Sequence, residues 1–168
     1  MMEHIIYFSG FVMKTFLLVV VLLLSAVVIF FFVLGSKSKA GTANGLVDGQ
    51  LSRCGSKPNC VCSEQHSQGE HSVAAFELTD SNNLSLQPTT EIIEAAGGQI
   101  VQQDEHYLAA TFTSRLFGYV DDFEVRLDTD SGILHFRSAS RVGHSDLGAN
   151  RKRVEAIKAA LLQIQPPN

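Results

Sequence analysis

Twenty consecutive residues, TFLLVVVLLLSAVVIFFFVL from Thr15 to Leu34, carry no charge, and few folds can accommodate such a run. At about 1.5 Å rise per residue it covers roughly the 30 Å hydrocarbon thickness of a bilayer. The rest of the chain is too short to surround it with protein on all sides, so it is read as a membrane-spanning helix. The rival reading is a cleaved signal peptide, because MKTFLLVV from Met13 reads like an n-region running into an h-region. Cleaved h-regions are shorter, about 7–15 residues. The small residues Gly41 to Ala43 lie well past the apolar run, and no Cys follows it closely enough for a lipoprotein site. An uncleaved anchor is expected, with the lipid bilayer as the partner of the helix.

Charge alone mildly disfavours an exported domain, since Lys14 precedes the helix while Lys37 and Lys39 follow it. The cysteines point outward. Cys54 and Cys60 bracket five residues of a Gly/Pro/Asn-containing loop, a spacing that can close a small disulfide ring in an oxidising compartment. The expectation is a single-pass inner-membrane protein with its C-terminal domain in the periplasm.

The chain has 168 residues, and the roughly 130 beyond the anchor suit one domain with one core. Of 13 Lys and Arg and 17 Asp and Glu, removing Lys14 and Glu3 leaves 12 against 16. That mildly acidic balance offers no footprint for nucleic acid. Residues 1–34 are assigned to the N-terminal tail and anchor, 35–50 to a flexible linker of Gly, Ser, Lys, Thr and Asn, and 51–168 to the globular domain.

Within the domain, SVAAFEL from Ser72 to Leu78 reads as a strand. Thr89 or Thr90 can cap a short helix that Gly97 or Gly98 ends. Gln99 to Gln103 and His106 to Ser114 flank an Asp104-Glu105 turn, the second arm alternating Leu108, Ala110 and Phe112 with Tyr107, Ala109 and Thr111. A second hairpin alternates Phe123, Val125 and Leu127 with Asp122, Glu124 and Arg126, then turns through DTDSG into Leu134 and Phe136 alternating with His135 and Arg137. Setting Leu127 opposite Leu134 also sets Val125 by Phe136 and Glu124 by Arg137, so the apolar and charged faces match together. Val154, Ile157, Leu161 and Ile164 recur at helical spacing, and Pro166 and Pro167 stop that last helix. The expected class is α+β: the anchor, then an antiparallel sheet of about five strands with helices on one face.

The densest polar stretch is RSASRVGHSDLGANRKR, Arg137 to Arg153. With CGSKPNC at Cys54 to Cys60 and SRLFGYVDDFEVRL at Ser114 to Leu127, it makes the chain resemble the domain of unknown function 1499 family, a bacterial and plastid family of exported or membrane-linked proteins. The resemblance runs from about Leu51 to Ile164 and implies an α+β domain outside the cytoplasm, with no activity attached. Cys62 stands where the family pattern has serine, and the chain has no Trp, which relatives often carry in the first half.

Several chemistries compete for these residues. Three cysteines leave one over, so if Cys54 bridges Cys60 then Cys62 is free to exchange. Cys54, Cys60, Cys62, His66 and His71 could instead offer zinc or copper ligands, but C-x5-C-x-C-x3-H-x4-H is no standard spacing. No metal or cofactor is expected. Ser138, Ser140, His144, Ser145 and Asp146 invite a hydrolase reading, without a GxSxG elbow. Ser145 or Asp146 has a plainer use in capping the last helix, with Asn150 as another candidate. Asp121, Asp122 and Glu124 could act as acid and base or hold a cation, or Asp122 and Glu124 could simply pair with Arg126, Arg137 and Arg141 on the polar face of the sheet. Arg115, Arg137, Arg141 and Arg151, together with the N–H groups opening that helix, could form an anion pocket unless Asp121, Asp122 and Asp146 neutralise them. The candidate binding cluster is therefore Arg115, Asp121, Asp122, Arg137, Ser138, Ser140, Arg141, His144, Asp146, Asn150 and Arg151. It suits a binding or accessory role with an anionic small molecule or an envelope protein as partner; a small extracytoplasmic hydrolase or metal-dependent enzyme is the alternative.

Overall fold

The computed structural model describes residues 2–79 and 84–165; the expected stop at Pro166 and Pro167 lies outside them. Helix α1 spans Met2–Ser38 and contains the apolar run. Strands β1 (Leu46–Val47) and β2 (Gln50–Leu51) form a hairpin of their own. Strands β3 (Cys60–Cys62), β4 (Phe76–Glu77), β5 (Gln99–Gln103), β6 (Tyr107–Thr113), β7 (Val120–Asp128) and β8 (Ile133–Ser140) make one antiparallel sheet. Helix α2 (Gln87–Ala95) precedes β5, and α3 (Ala149–Ile164) follows β8.

The fold is α+β, as its patterning predicts. The sheet is five strands wide, ordered β3-β8-β7-β6-β5, because β4 shares the β8 edge with β3: β3 pairs with Arg137 to Ala139 and β4 with Ile133 and Leu134. The β7–β8 register is the predicted one, with Leu127 opposite Leu134, Val125 opposite Phe136 and Glu124 opposite Arg137. Successive side chains alternate between faces. Leu108, Ala110, Phe123, Val125, Leu127, Leu134 and Phe136 therefore share one face and bury against Ile93 of α2 and Val154, Ile157 and Leu161 of α3. Each Val, Leu, Ile or Phe among them is worth about 1.5–3 kcal/mol when fully buried. Ile164, the last member of the α3 stripe, is exposed.

Three local readings change. The strand predicted over Ser72 to Leu78 shrinks to Phe76–Glu77. Thr89 and Thr90 lie buried inside α2 instead of capping it: the helix already starts at Gln87 after Leu86, and the Thr90 hydroxyl donates back to the Leu86 carbonyl. Over 35–50, where composition predicts a flexible linker, the chain finishes α1 and then folds onto the sheet's second face. The Gly45 N–H donates to Glu124 Oε1 at 2.8 Å, the Leu51 N–H to Glu64 Oε1 at 3.1 Å and the Ser52 hydroxyl to the Gly45 carbonyl at 3.0 Å. Asp48 and Gly49 both adopt positive φ, 52° and 76°, the requirement of a type I′ hairpin turn.

Candidate functional site

The strand alternation that builds the core also divides the predicted polar cluster between the two faces of the sheet. Asp122, Glu124 and Arg126 of β7, with His135 and Arg137 of β8, fall on the face away from the helices, under residues 39–54. Glu124 is wholly buried; its Oε2 accepts from Arg137 Nη1 at 2.6 Å and its Oε1 from the Tyr107 hydroxyl at 2.8 Å. Burial, and then the Glu124 charge, push the Tyr107 hydroxyl far above the ordinary tyrosine range, so Tyr107 stays a donor. Asp122 holds Arg141 through both its oxygens, the shortest contact being 2.7 Å from Nη2, and Arg141 Nη1 donates to the Ser38 carbonyl at the end of α1.

At the β3 side of the same face, Glu64 takes Arg126 through Nε at 2.8 Å and Nη2 at 3.2 Å, while His135 Nδ1 stands 3.4 Å from its Oε2. Burial raises the Glu64 pKa, but the Arg126 and Leu51 donors outweigh it and the net shift is downward. His135 shifts downward as well, because burial disfavours the imidazolium more than Glu64 favours it.

Asp121, Ser138 and Ser140 point to the helix face. There the Ser138 hydroxyl donates to Asn150 Oδ1 at 2.6 Å, and Asn150 Nδ2 donates to the Asn59 carbonyl at 2.9 Å and to Ser140 Oγ at 3.0 Å. Arg153 ties this group to β7: Nη2 donates to Asp121 Oδ2 at 2.7 Å, Nη1 to Ser138 Oγ and Asn150 Oδ1, and its guanidinium lies 4.6 Å over the Phe112 ring centroid. Asp146 takes the capping role, accepting from the Gly148 and Asn150 N–H groups at 3.1 and 2.6 Å. Asn150 is not a cap; it sits inside α3, fully buried.

Thus the structure unites Asp122, Arg137 and Arg141 on one face and Asp121, Ser138, Ser140, Asp146 and Asn150 on the other. His144 and Arg115 stand exposed on loops outside both groups, and Arg151 donates to the Glu70 carbonyl at 2.8 Å. Glu64, Tyr107 and Arg153 belong to these networks and escape the sequence reading. Arg153 had a usable signal, since it follows Asn150 by three residues and so shares its helix face. Glu64 had none nearby: its partner Arg126 is 62 residues away.

For acyl transfer, a serine, a base and a carboxylate would have to form a hydrogen-bonded row. Among the described residues, no hydrogen bond joins His144 to a serine or a carboxylate. Cys54 and Cys60 are disulfide-bonded, which removes both thiolates from the metal donor set, and Cys62 is buried and free. His71 Nδ1 lies 2.9 Å from the Cys60 carbonyl, and His66 Nε2 is buried with no hydrogen-bond partner among the described residues.

An open cavity of about 400 Å³ lies where α1, the β6–β7 turn and the β8–α3 loop meet. Phe31 and Leu34 of α1 give it an apolar side, and Asp121, Ser140, His144 and Asp146 a polar one. Two carboxylates and no Lys or Arg line it, so its charge does not favour an anion.

Fold and site together define a class: a small antiparallel α+β domain led by an apolar helix, with ion pairs built into both faces of its sheet. The chain belongs to the family described as protein of unknown function (DUF1499), whose model matches residues 50–161. That stretch holds every strand of the six-stranded sheet, the disulfide, α2 and most of α3; α1 lies outside it. A search of curated proteins finds no match.

Proposed function

We propose that the protein is a membrane-anchored envelope protein whose α1 stays in the inner membrane and whose domain works on the periplasmic side as a binding or accessory module. The observation that carries this reading is how α1 ends. Its apolar stretch is uncovered by the domain, yet its last turns make specific contacts with it: the Phe31 and Phe32 rings lie 5.2 and 5.3 Å from the Phe117 ring, and Ser38 Oγ accepts the Val120 N–H at 2.9 Å. A cleaved leader would forfeit these contacts. The Cys54–Cys60 bridge supports the oxidising side of the membrane.

A binding role is preferred to catalysis because the reactive side chains are engaged in holding the domain together: Ser138 with Asn150 and Arg153, and Asp146 with two backbone N–H groups. The partner is placed among envelope components in preference to anionic small molecules, since Arg137, Arg141 and Arg153 each hold a carboxylate. The test is the intact mass and the extractability of the mature chain, with protease applied from the periplasmic side. The expected result is a chain that retains α1, resists alkaline extraction and loses its domain to protease. A mature chain starting beyond Leu34, or a domain protected in spheroplasts, would overturn the proposal.

A further inference from the structure

The geometry points to a second attachment to the bilayer: the β6–β7 turn and the β8–α3 loop rest on the membrane that α1 spans, with Leu116 and Leu147 inserted into lipid. The inference rests on the anchored reading above. Phe117, a residue of the domain, packs against Phe31 and Phe32, which lie three and two residues inside the end of the apolar run. At about 1.5 Å per residue, those rings sit roughly 3–5 Å below the point where the run leaves the hydrocarbon. A turn that touches them cannot stand clear of the bilayer surface.

The approach is built into the backbone. Gly35 is buried against the Phe117 carbonyl, where any Cβ would collide with the oxygen, so the helix and the turn meet main chain to main chain. Beside Phe117, Leu116 is 70% exposed. On the neighbouring loop, whose Ser145 and Asp146 line the same cavity as Phe31 and Leu34, Leu147 is 90% exposed. Leu147 is also held at φ 54°, a left-handed conformation that costs a Cβ-bearing residue energy. Burying either leucine in protein would require a partner, whereas lipid is already present at this level.

The charges agree. Lys37, Lys39 and Arg115 are exposed around the helix exit, and the Lys39 side chain runs along Gly118 of the turn. Cations on the rim with large apolar side chains below them match lipid phosphates above acyl chains. The same match gives Lys37 and Lys39 a use on the periplasmic side, against the usual charge bias.

The chain contains no Trp, so each single Trp variant is its own reporter. Full-length Leu116→Trp and Leu147→Trp are reconstituted in vesicles of phosphatidylethanolamine and phosphatidylglycerol, with lipid brominated near the carbonyl end of the acyl chain as quencher. Leu22→Trp, within the anchor, reports spanning through lipid brominated at the chain end. Leu162→Trp, fifteen residues beyond Leu147 along α3 and likewise exposed, reports the solvated domain. Docking predicts blue-shifted, strongly quenched emission at 116 and 147 and none at 162. Quenching at 22 alone would overturn docking and leave the anchor standing; no quenching at 22 would overturn both. A blue shift at 116 and 147 without quenching would mean that a second copy of the chain covers them, which also overturns docking.

Discussion

Glu124 and Arg137 face each other across β7 and β8 with 2.6 Å between carboxylate and guanidinium, and both are buried. Such a pair gains little over a well-packed apolar pair, because both charges have left water, but losing one partner leaves the other uncompensated. Arg137 sharpens this, since its Nε has no hydrogen-bond partner among the described residues. Arg137→Ala should therefore destabilise the full-length protein in detergent by about 3–5 kcal/mol, read by urea unfolding. Adding Glu124→Gln should restore part of the loss, and a double variant no better than the single would show that the pair is not the cause.

The acid side of the stability profile should fall in two steps. His135 has a folded pKa below its ordinary value of 6.5, so the unfolded chain takes up the proton first; this contribution is complete above that value and is lost as pH drops through it. Glu64 has a folded pKa below its ordinary 4.5; its contribution is present above that value and is lost as pH falls towards the folded pKa. Thermal unfolding followed from pH 7 downward should show both declines, and His135→Gln should remove only the first.

Cys62 is completely buried, and burial pushes its thiol pKa up, so the reactive thiolate is scarce as well as hidden. Maleimide should label no cysteine in the native chain, one after unfolding without reductant and three after unfolding with it. Labelling of two or more without reductant would remove the Cys54–Cys60 bridge and, with it, the main support for a periplasmic domain.

The parts of the fold legible in the sequence are those whose signal is local and periodic. The β7–β8 register follows from matching Val125 and Leu127 to Phe136 and Leu134, and the α3 stripe from spacings of three and four. The covering of the second face is not local: residues 35–50 look like a spacer because the order there comes from backbone N–H groups reaching distant carboxylates, that of Gly45 to Glu124 and that of Leu51, just beyond, to Glu64. One signal there was readable, Asp48-Gly49, the dipeptide that favours a tight hairpin turn. The candidate cluster contained true network members, but Asp121 and Asp122 sit side by side in sequence and so point to opposite faces. Strand parity separates them, so the candidate cluster is split between the two faces; of the arginines expected in an anion pocket, Arg137 and Arg141 are held by carboxylates on one face, while Arg115 and Arg151 lie outside both networks.

Gly35→Ala should separate α1 from the domain without unfolding either. The added methyl has no room beside the Phe117 carbonyl, and the displaced helix end would withdraw Ser38 from the Val120 N–H and from Arg141. The expected readout is faster amide exchange at Val120 with exchange at Val125, in the middle of β7, unchanged. Exchange at Val120 equal to wild type would show that the helix and the turn do not meet as described.

Asn150 tests whether the helix-face network is structural. It is fully buried, and its amide serves four partners: Oδ1 accepts from Ser138 and Arg153, and Nδ2 donates to the Asn59 carbonyl and Ser140. Asp could keep the acceptor role but would lose the donors and bring a third carboxylate near Asp121. Leu would fill the volume and satisfy none of the four. Each buried group left unpaired costs about 1–3 kcal/mol, so Asn150→Leu should unfold at markedly lower urea than wild type. Arg153→Met should cost less, because Asp121 is partly exposed and can turn to water. If the ranking is reversed, Arg153 and Asp121 hold the domain together more than Asn150 does, and the polar core of this face would have to be redrawn around that ion pair.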